Sequence, residues 1–400
     1  MHDGKAESQD TGQDTVTPKE RILAAMRRQD VDYPPCMPIW WAWASPRAEG
    51  YAWANLEERL SVLIDRLGID AYLDFSIPLG RHSDTKQAVW GEVVPEERHP
   101  LLHKVITTPA GELTATVRRT EDWPHGQDIP LMSDFVVSRL VKPWIENERD
   151  LDCLEYVWQP PPDQTDDQLK ERIAPIRKLA DEWQAPTRST VGRGLTASLS
   201  LFGAENASVA SIEKPDLLDH LAEIEHKATV KRIELAARAG VDFVTRDGFY
   251  ETTDFWIPSQ IERFLSARLS REIETAHDAG MLISYTVCTG IMPILPHLKS
   301  LRFDCLAWIE PALGNQDMAR VAKELGAGKC IWGGISAPIH IGLGKPEVVR
   351  EAVRSFYKDF GARGTILAPV PSIRQDWPWE NVIAMVDEWK RIRLDSPANA

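Results

Sequence analysis

From residue 187 onward the chain alternates with a regularity that few folds can use. Short apolar runs ("TRSTVGR", "GVDFVTRDG", "GMLISYTVC", "FDCLAWIEP", "GKCIWGGIS", "GTILAPVP") are separated by amphipathic segments of helical period. Two earlier runs, in "CMPIWWAWAS" and "IDAYLDFSIPLG", raise the count to eight. Strands that alternate with helices pair in parallel, and eight such units in 400 residues favour an α/β (β/α)₈ barrel over an open sheet. Strands are expected near residues 36–43, 69–75, 187–193, 241–247, 282–288, 304–309, 330–334 and 364–369. A well-signalled helix precedes them, with Thr17 as cap, Pro18 at its first position and Glu20 completing a capping box. Between about 85 and 150 the pattern becomes short alternation with turns, as in "VITTPAGELTATVRR", so a β-hairpin excursion is expected there. The expected organisation is a polar, disordered tail over 1–16 and a single barrel over 17–400.

Charge excludes some partners. A net charge of -14 with Lys and Arg dispersed argues against nucleic acid, whose phosphates need a basic face. Five cysteines, Cys36, Cys153, Cys288, Cys305 and Cys330, are too few and too scattered for a disulfide framework, which points to the reducing cytoplasm. No apolar run is long enough to span a bilayer.

Barrels of this kind carry their chemistry at the carboxyl ends of the strands. Those ends offer Trp40, Trp41 and Trp43, then Asp74 and Ser76, then Arg193, Asp247 and Glu251, Tyr285 and Cys288, Glu310, and finally Ser336 and His340. Each has a plainer alternative: the tryptophans as core, Asp247 as half of an ion pair with Arg246, Cys288 as a small buried hydrophobe, and His340 as a solvated loop residue. Asp247, Glu251, Tyr285, Cys288 and Glu310 are the candidate catalytic groups. Trp40, Trp43, Arg47, Asp74, Ser76, Arg193, Ser336 and His340 are the candidate substrate contacts.

The opening "TPKERILAAMRRQDVDYPPCMPIW", the ending "GKPEVVREAVRSFYKDFGARGTILAPVPSIRQDWPWENVIAMVDEWKR", and "VWGEVV", "TPAGEL" and "VGRGLTASLSLFG" between them resemble the uroporphyrinogen decarboxylase superfamily. The resemblance implies a (β/α)₈ barrel with a deep cleft, and by analogy a homodimer. It also implies one of two activities, porphyrinogen decarboxylation or zinc-dependent methyl transfer from a corrinoid protein. The decarboxylase pattern is poorly kept. Where those enzymes read P-V-W-x-M-R-Q-A-G-R, "PIWWAWASPR" keeps Pro38, Trp40 and Arg47 but has Trp43 in place of the first arginine. The position of the family's tyrosine falls at Ser200, that of its last-strand histidine at Pro371, and its F-S-D aspartate has only a shifted counterpart in Asp74. The methyltransferase zinc ligands, H-x-C and a later cysteine, correspond to Thr286, Val287, Cys288 and to Val370 or Pro371, so one ligand of three is kept.

The expectation is therefore a methyltransferase-like enzyme acting on a small methylated or aromatic substrate, with a corrinoid (cobalamin) protein as partner. A decarboxylase of a porphyrinogen or smaller carboxylic acid is the alternative, and a non-catalytic tetrapyrrole or corrinoid binder a second one. A zinc site of the methyltransferase type is not expected, because threonine and proline do not replace its ligands. Any metal would need Cys288 with Asp247 or Glu310. If one binds, Cys288→Ser, Asp247→Asn and Glu310→Gln should each weaken it by about 10 to 100-fold or more, measured as metal retained after dialysis. Zinc that leaves in Cys288→Ser but stays in the double carboxylate variant would contradict that ligand set.

Overall fold

The computed structural model describes residues 16–40 and 45–394. Trp41 and Trp43, and the tail expected over 1–16 up to residue 15, lie outside the described residues. The first helix, Pro18–Met26, starts on the Thr17 and Glu20 capping box. Eleven strands follow among the described residues: β1 (Leu73–Asp74), β2 (Lys86–Glu92), β3 (Leu101–Thr108), β4 (Gly111–Arg118), β5 (Leu140–Lys142), β6 (Thr187–Gly192), β7 (Phe243–Asp247), β8 (Leu282–Thr286), β9 (Cys305–Ile309), β10 (Cys330–Ser336) and β11 (Thr365–Val370).

They form two sheets. Seven strands pair in parallel in the order β1-β6-β7-β8-β9-β10-β11, and the curled sheet they make is covered on both faces. All of β8, β10 and β11 is buried, which is why these segments read as continuous apolar runs rather than alternating ones. The other sheet, β2-β3-β4-β5, is antiparallel, with Pro109 and Ala110 turning β3 into β4.

The pleat divides the parallel sheet's side chains between two cores. Phe243, Leu282, Cys305, Ala307, Cys330, Trp332, Ile366 and Ala368 pack together on the inner, concave face with Met37, Ile39 and Tyr72. Their neighbours in sequence, Val244, Ile283, Tyr285, Leu306, Ile331 and Leu367, pack instead with Leu217, Leu221, Ile224, Leu269 and Ile273 of the covering helices Pro215–Arg238 and Ala267–Asp278. This parity decides which strand-end residues face the mouth of the sheet.

Of the strand expected over 36–43, the described residues, 36–40, form no continuous ladder. Cys36 bridges to Leu367 and Trp40 to Ile373, each as an isolated pair, while the Asp70 N–H donates to the Cys36 carbonyl on the other side at 2.8 Å. Pro34, Pro35 and Pro38 supply no N–H, so the hydrogen bonds of a regular strand cannot run through this segment. Backbone bonds tie it to β11 on one side, with the Met37 N–H donating to the Leu367 carbonyl and the Leu367 N–H to the Pro35 carbonyl, both at 2.9 Å. Two indoles add to these: Trp332 Nε1 donates to the Met37 carbonyl at 2.9 Å and Trp389 Nε1 to the Pro34 carbonyl at 2.8 Å.

Trp332 is fully buried, so Trp332→Phe leaves the Met37 carbonyl unpaired in an apolar core. The expected loss is about 1–3 kcal/mol of unfolding free energy, read from the denaturant midpoint at unchanged slope. A midpoint equal to that of the wild type would show that this bond does not hold the segment.

Candidate functional site

Beyond β7 the chain carries alternate charges in opposite directions. Arg246 faces the helices. Its Nε lies 2.7 Å from Glu272 Oε2, and its Nη1 and Nη2 lie 3.3 and 3.0 Å from the two oxygens of Glu251. The Tyr285 hydroxyl donates to Glu251 Oε2 at 2.7 Å, and the Leu195 N–H donates to Oε1, also at 2.7 Å. His226 Nδ1 lies 2.8 Å from the other oxygen of Glu272. Arg246, Glu251, Glu272 and Tyr285 are each no more than 1% exposed.

Space in this cluster is tight. A Cβ on Gly194, which has φ +48°, would stand 1.9 Å from Arg246 Nη2 and 2.1 Å from Glu251 Oε1, so only glycine fits there. Two carboxylates share one guanidinium, and burial pushes the Glu251 carboxyl up to about 7 against the opposing pull of Arg246. Tyr285 is pushed well up by burial and by the Glu251 charge, so it remains a neutral donor. Glu251 and Tyr285, both expected as catalytic groups at the mouth, therefore belong to a network between sheet and helices. Residue 285 has the outward parity of Arg246.

Asp247 has the inward parity. Its Oδ2 lies 3.4 Å from Arg193 Nη1, while its Oδ1 is buried without a hydrogen-bond partner. Near the same guanidinium stands Asp134, which caps no strand and was not foreseen. Asp134 is exposed, but to a cavity of about 430 Å³ shared with Arg193, His125 and Phe135. The protein around it pushes its carboxyl up by burial, with Arg193 opposing and Asp247 adding to the rise. Tyr250 is likewise pushed up by burial, then by the charges of Asp134, Cys288 and Asp247. Its ring, with those of Phe249, Phe255 and Trp308, forms an aromatic chain with centroid spacings of 4.8 to 6.0 Å. Trp308 holds φ +71°, a strained value for a bulky side chain, and its buried Nε1 has no partner.

Cys288 and Glu310 are neighbours through the Glu310 N–H, which donates to the Cys288 carbonyl at 3.0 Å. Burial, then the Glu310 and Asp254 charges, push the Cys288 thiol up. Glu310 is itself pushed up by burial; Oε1 accepts the Ala312 N–H and Oε2 has no partner. No group of three or more His, Cys, Asp or Glu gathers to hold a metal among the described residues. The donors at Cys288 do not fit the thiolate zinc of the methyltransferases.

The remaining candidates are dispersed. Trp40 is buried edge-on to Trp53 with centroids 5.4 Å apart, and Trp379 lies 5.8 Å away. Asp74 pairs with Arg188 Nε at 2.8 Å, and Arg188 is an inward-facing strand cation that the strand-end rule passed over. Arg47 is exposed, with its backbone bonded to Gln375, and Ser76 offers its carbonyl to Arg172. Ser336 caps the helical turn Ala337–Gly342, and its N–H donates to His340 Nδ1 at 3.0 Å. His340 thus lines a separate cavity against helix Pro346–Phe360.

Glu251 titrates above its ordinary 4.5, so its protonation favours the fold; that contribution is full below about pH 4.5 and is lost as pH rises through about 7. Asp70, pushed up to about 6 by burial in spite of Arg21, acts with the same sign. Glu272 adds to the Glu251 rise, so in Glu272→Gln the thermal midpoint should gain on the wild type between about pH 5 and about pH 8. Parallel midpoint curves would show that the two carboxylates do not interact.

The family model for uroporphyrinogen decarboxylase (URO-D) matches residues 131–392. Among solved structures, a methyltransferase from Methanosarcina mazei is similar over 94% of this chain and 99% of its own, with a TM-score of 0.58 at 18% identity. A B12-independent methionine synthase from Shewanella is similar over 59% of this chain and 68% of its own, with a TM-score of 0.40 at 15% identity. No curated protein matches the chain in sequence. No helix among the described residues is long and apolar enough to cross a membrane. With the family model covering most of its length and a curled parallel sheet that presents Asp247 and Arg193 at its mouth, the chain belongs to the uroporphyrinogen decarboxylase family.

Proposed function

We propose that this member of the family is an enzyme that decarboxylates a small carboxylic acid by acid–base chemistry, and that its sheet is a (β/α)₈ barrel with residues 35–40 in the eighth position. The observation that supports the chemistry is a guanidinium at the mouth, Arg193, that is paired with one carboxylate, Asp247, and shares a cavity with a second, Asp134. Asp247 has Arg193 as its counter-charge, whereas Asp134 is pushed up toward its neutral form. In the proposed division of roles Asp247 is the partner of Arg193 and Asp134 the proton donor.

In the proposed step Arg193 holds one carboxylate of the substrate, and the aromatic chain from Phe255 to Trp308 covers its body and excludes water. The bond to the second carboxylate breaks, CO₂ departs, and the electron pair remains on the substrate carbon. That carbon takes the proton of the Asp134 carboxyl, which water then restores. Asp247 keeps Arg193 oriented and its charge partly balanced.

The second reading is methyl transfer with a corrinoid protein, from a small methylated or aromatic substrate. The aromatic chain favours it, because a methylated ammonium group is attracted to ring faces. No step of that reading is routed through zinc.

The test is incubation with uroporphyrinogen, with a series of small aromatic carboxylates, and with methylcobalamin, followed by chromatography, CO₂ release and visible spectra. Release of CO₂ from a small carboxylate is expected, with Asp134→Asn lowering kcat by about 10² to 10⁴-fold at little change in KM. Because Asp134 acts when protonated, wild-type kcat should fall as pH rises, and Asp134→Asn should lose that limb. Demethylation of methylcobalamin without CO₂ release would replace the first reading by the second.

A further inference from the structure

On the β1 side of the mouth a second cavity, of about 340 Å³, shares no lining residue with the one at Arg193 and Asp134. We propose that it is an anion-binding subsite, in which the Arg59 guanidinium takes a carboxylate or phosphate oxygen between the walls of Trp53 and Tyr72.

Arg59 lies on the short helix Leu56–Leu60 and is only 7% exposed. Its Nε is buried without a hydrogen-bond partner, and among the described residues no carboxylate forms an ion pair with it. A guanidinium taken out of water needs a counter-charge, and the one carboxylate in the cavity wall, Asp74, is already bound by Arg188 Nε at 2.8 Å. Two guanidinium groups thus stand against one carboxylate, so the cavity lacks one negative charge. Tyr72 is pushed up by burial and stays a neutral phenol beside Arg59, with a hydroxyl able to donate to an anion. Arg188 lies over the Tyr72 ring at 4.1 Å, which fixes that wall. Trp53 is held edge-on to Trp40 and gives an apolar face for the body of the ligand. The Asn55 side chain is committed to Glu58, so anion recognition falls to Arg59 and Tyr72. The guanidinium fork is suited to carboxylate and phosphate alike.

The test is calorimetric titration of the full chain at low ionic strength with sodium malonate and, separately, with inorganic phosphate. Wild-type protein should bind at least one of them. Arg59→Gln should weaken that binding by about tenfold or more, the usual scale for one lost charge-assisted bond. Arg59→Lys should keep part of it, and the Arg59-dependent binding should persist in Arg193→Gln, separate from any anion that Arg193 itself takes. Preference for malonate identifies a carboxylate ligand and preference for phosphate a phosphorylated one; either supports the subsite. Thermal midpoints show that each variant is folded, and Arg59→Lys provides the comparison if Arg59→Gln is not. Equal binding by Arg59→Gln, a loss confined to Arg193→Gln, or no binding of either anion by the wild type would overturn the proposal. Loss of the acid–base reading alone, seen as full turnover in Asp134→Asn, would leave it standing.

Discussion

Arg246 sets the geometry of the mouth from behind it. Its guanidinium joins three parts of the chain: the strand that carries it, the loop bearing Glu251, and helix Ala267–Asp278 through Glu272. Through Glu251 the clamp also takes the Leu195 N–H, and so fixes the start of the helix that follows β6. The strand pleat then turns Asp247 to the opposite face, toward Arg193. A buried ion pair adds little net stability over apolar packing, but removing one partner costs roughly 3–5 kcal/mol because the other charge is stranded. The network is therefore better understood as fixing orientation than as a source of binding strength.

The Arg246 cluster and the mouth differ in how completely several of their polar atoms are satisfied. On the helix side, both Glu251 oxygens and the Tyr285 hydroxyl have partners. At the sheet's mouth, Asp247 Oδ1, Glu310 Oε2 and Trp308 Nε1 have none, and Thr286 Oγ1 at the end of β8 has none either. Unpaired buried polar atoms are costly, and together with the strained Trp308 backbone they mark the inner face as shaped for contact with something else.

Seven of the eight parallel segments were legible as strands because both faces of the sheet are covered, which makes each one a dense apolar run. The exception was also written in the sequence, in the three prolines of "YPPCMP", whose missing N–H groups outweigh the apolar character of the run. The site was less legible. Counting residues at strand ends picked out Asp247 and Arg193, which the fold brings together, but it grouped Tyr285 and Glu251 with them because position along a strand says nothing of face. The parity of Leu282 and Tyr285 in one strand would have separated them. Arg188 had a signal, a cation inside the buried run "TRSTVG". Asp134 lies in the segment between β4 and β5, far from any parallel strand, and only tertiary folding brings it to Arg193.

The indoles of Trp332 and Trp389 have a further consequence, for how the chain is made. They bond the carbonyls of Met37 and Pro34 across 295 and 355 residues of sequence. During synthesis at about 5–20 residues per second, the segment holding Pro34 and Met37 leaves the ribosome roughly 15–70 s before its partners exist. Throughout that interval Met37, Ile39 and Trp40, buried in the finished protein, wait on a core whose later strands and last helix are not yet made. This proline-broken stretch has poor ladder-forming capacity while it waits, so the missing N–H groups that deny it a strand in the native sheet also blunt its pairing with other nascent chains.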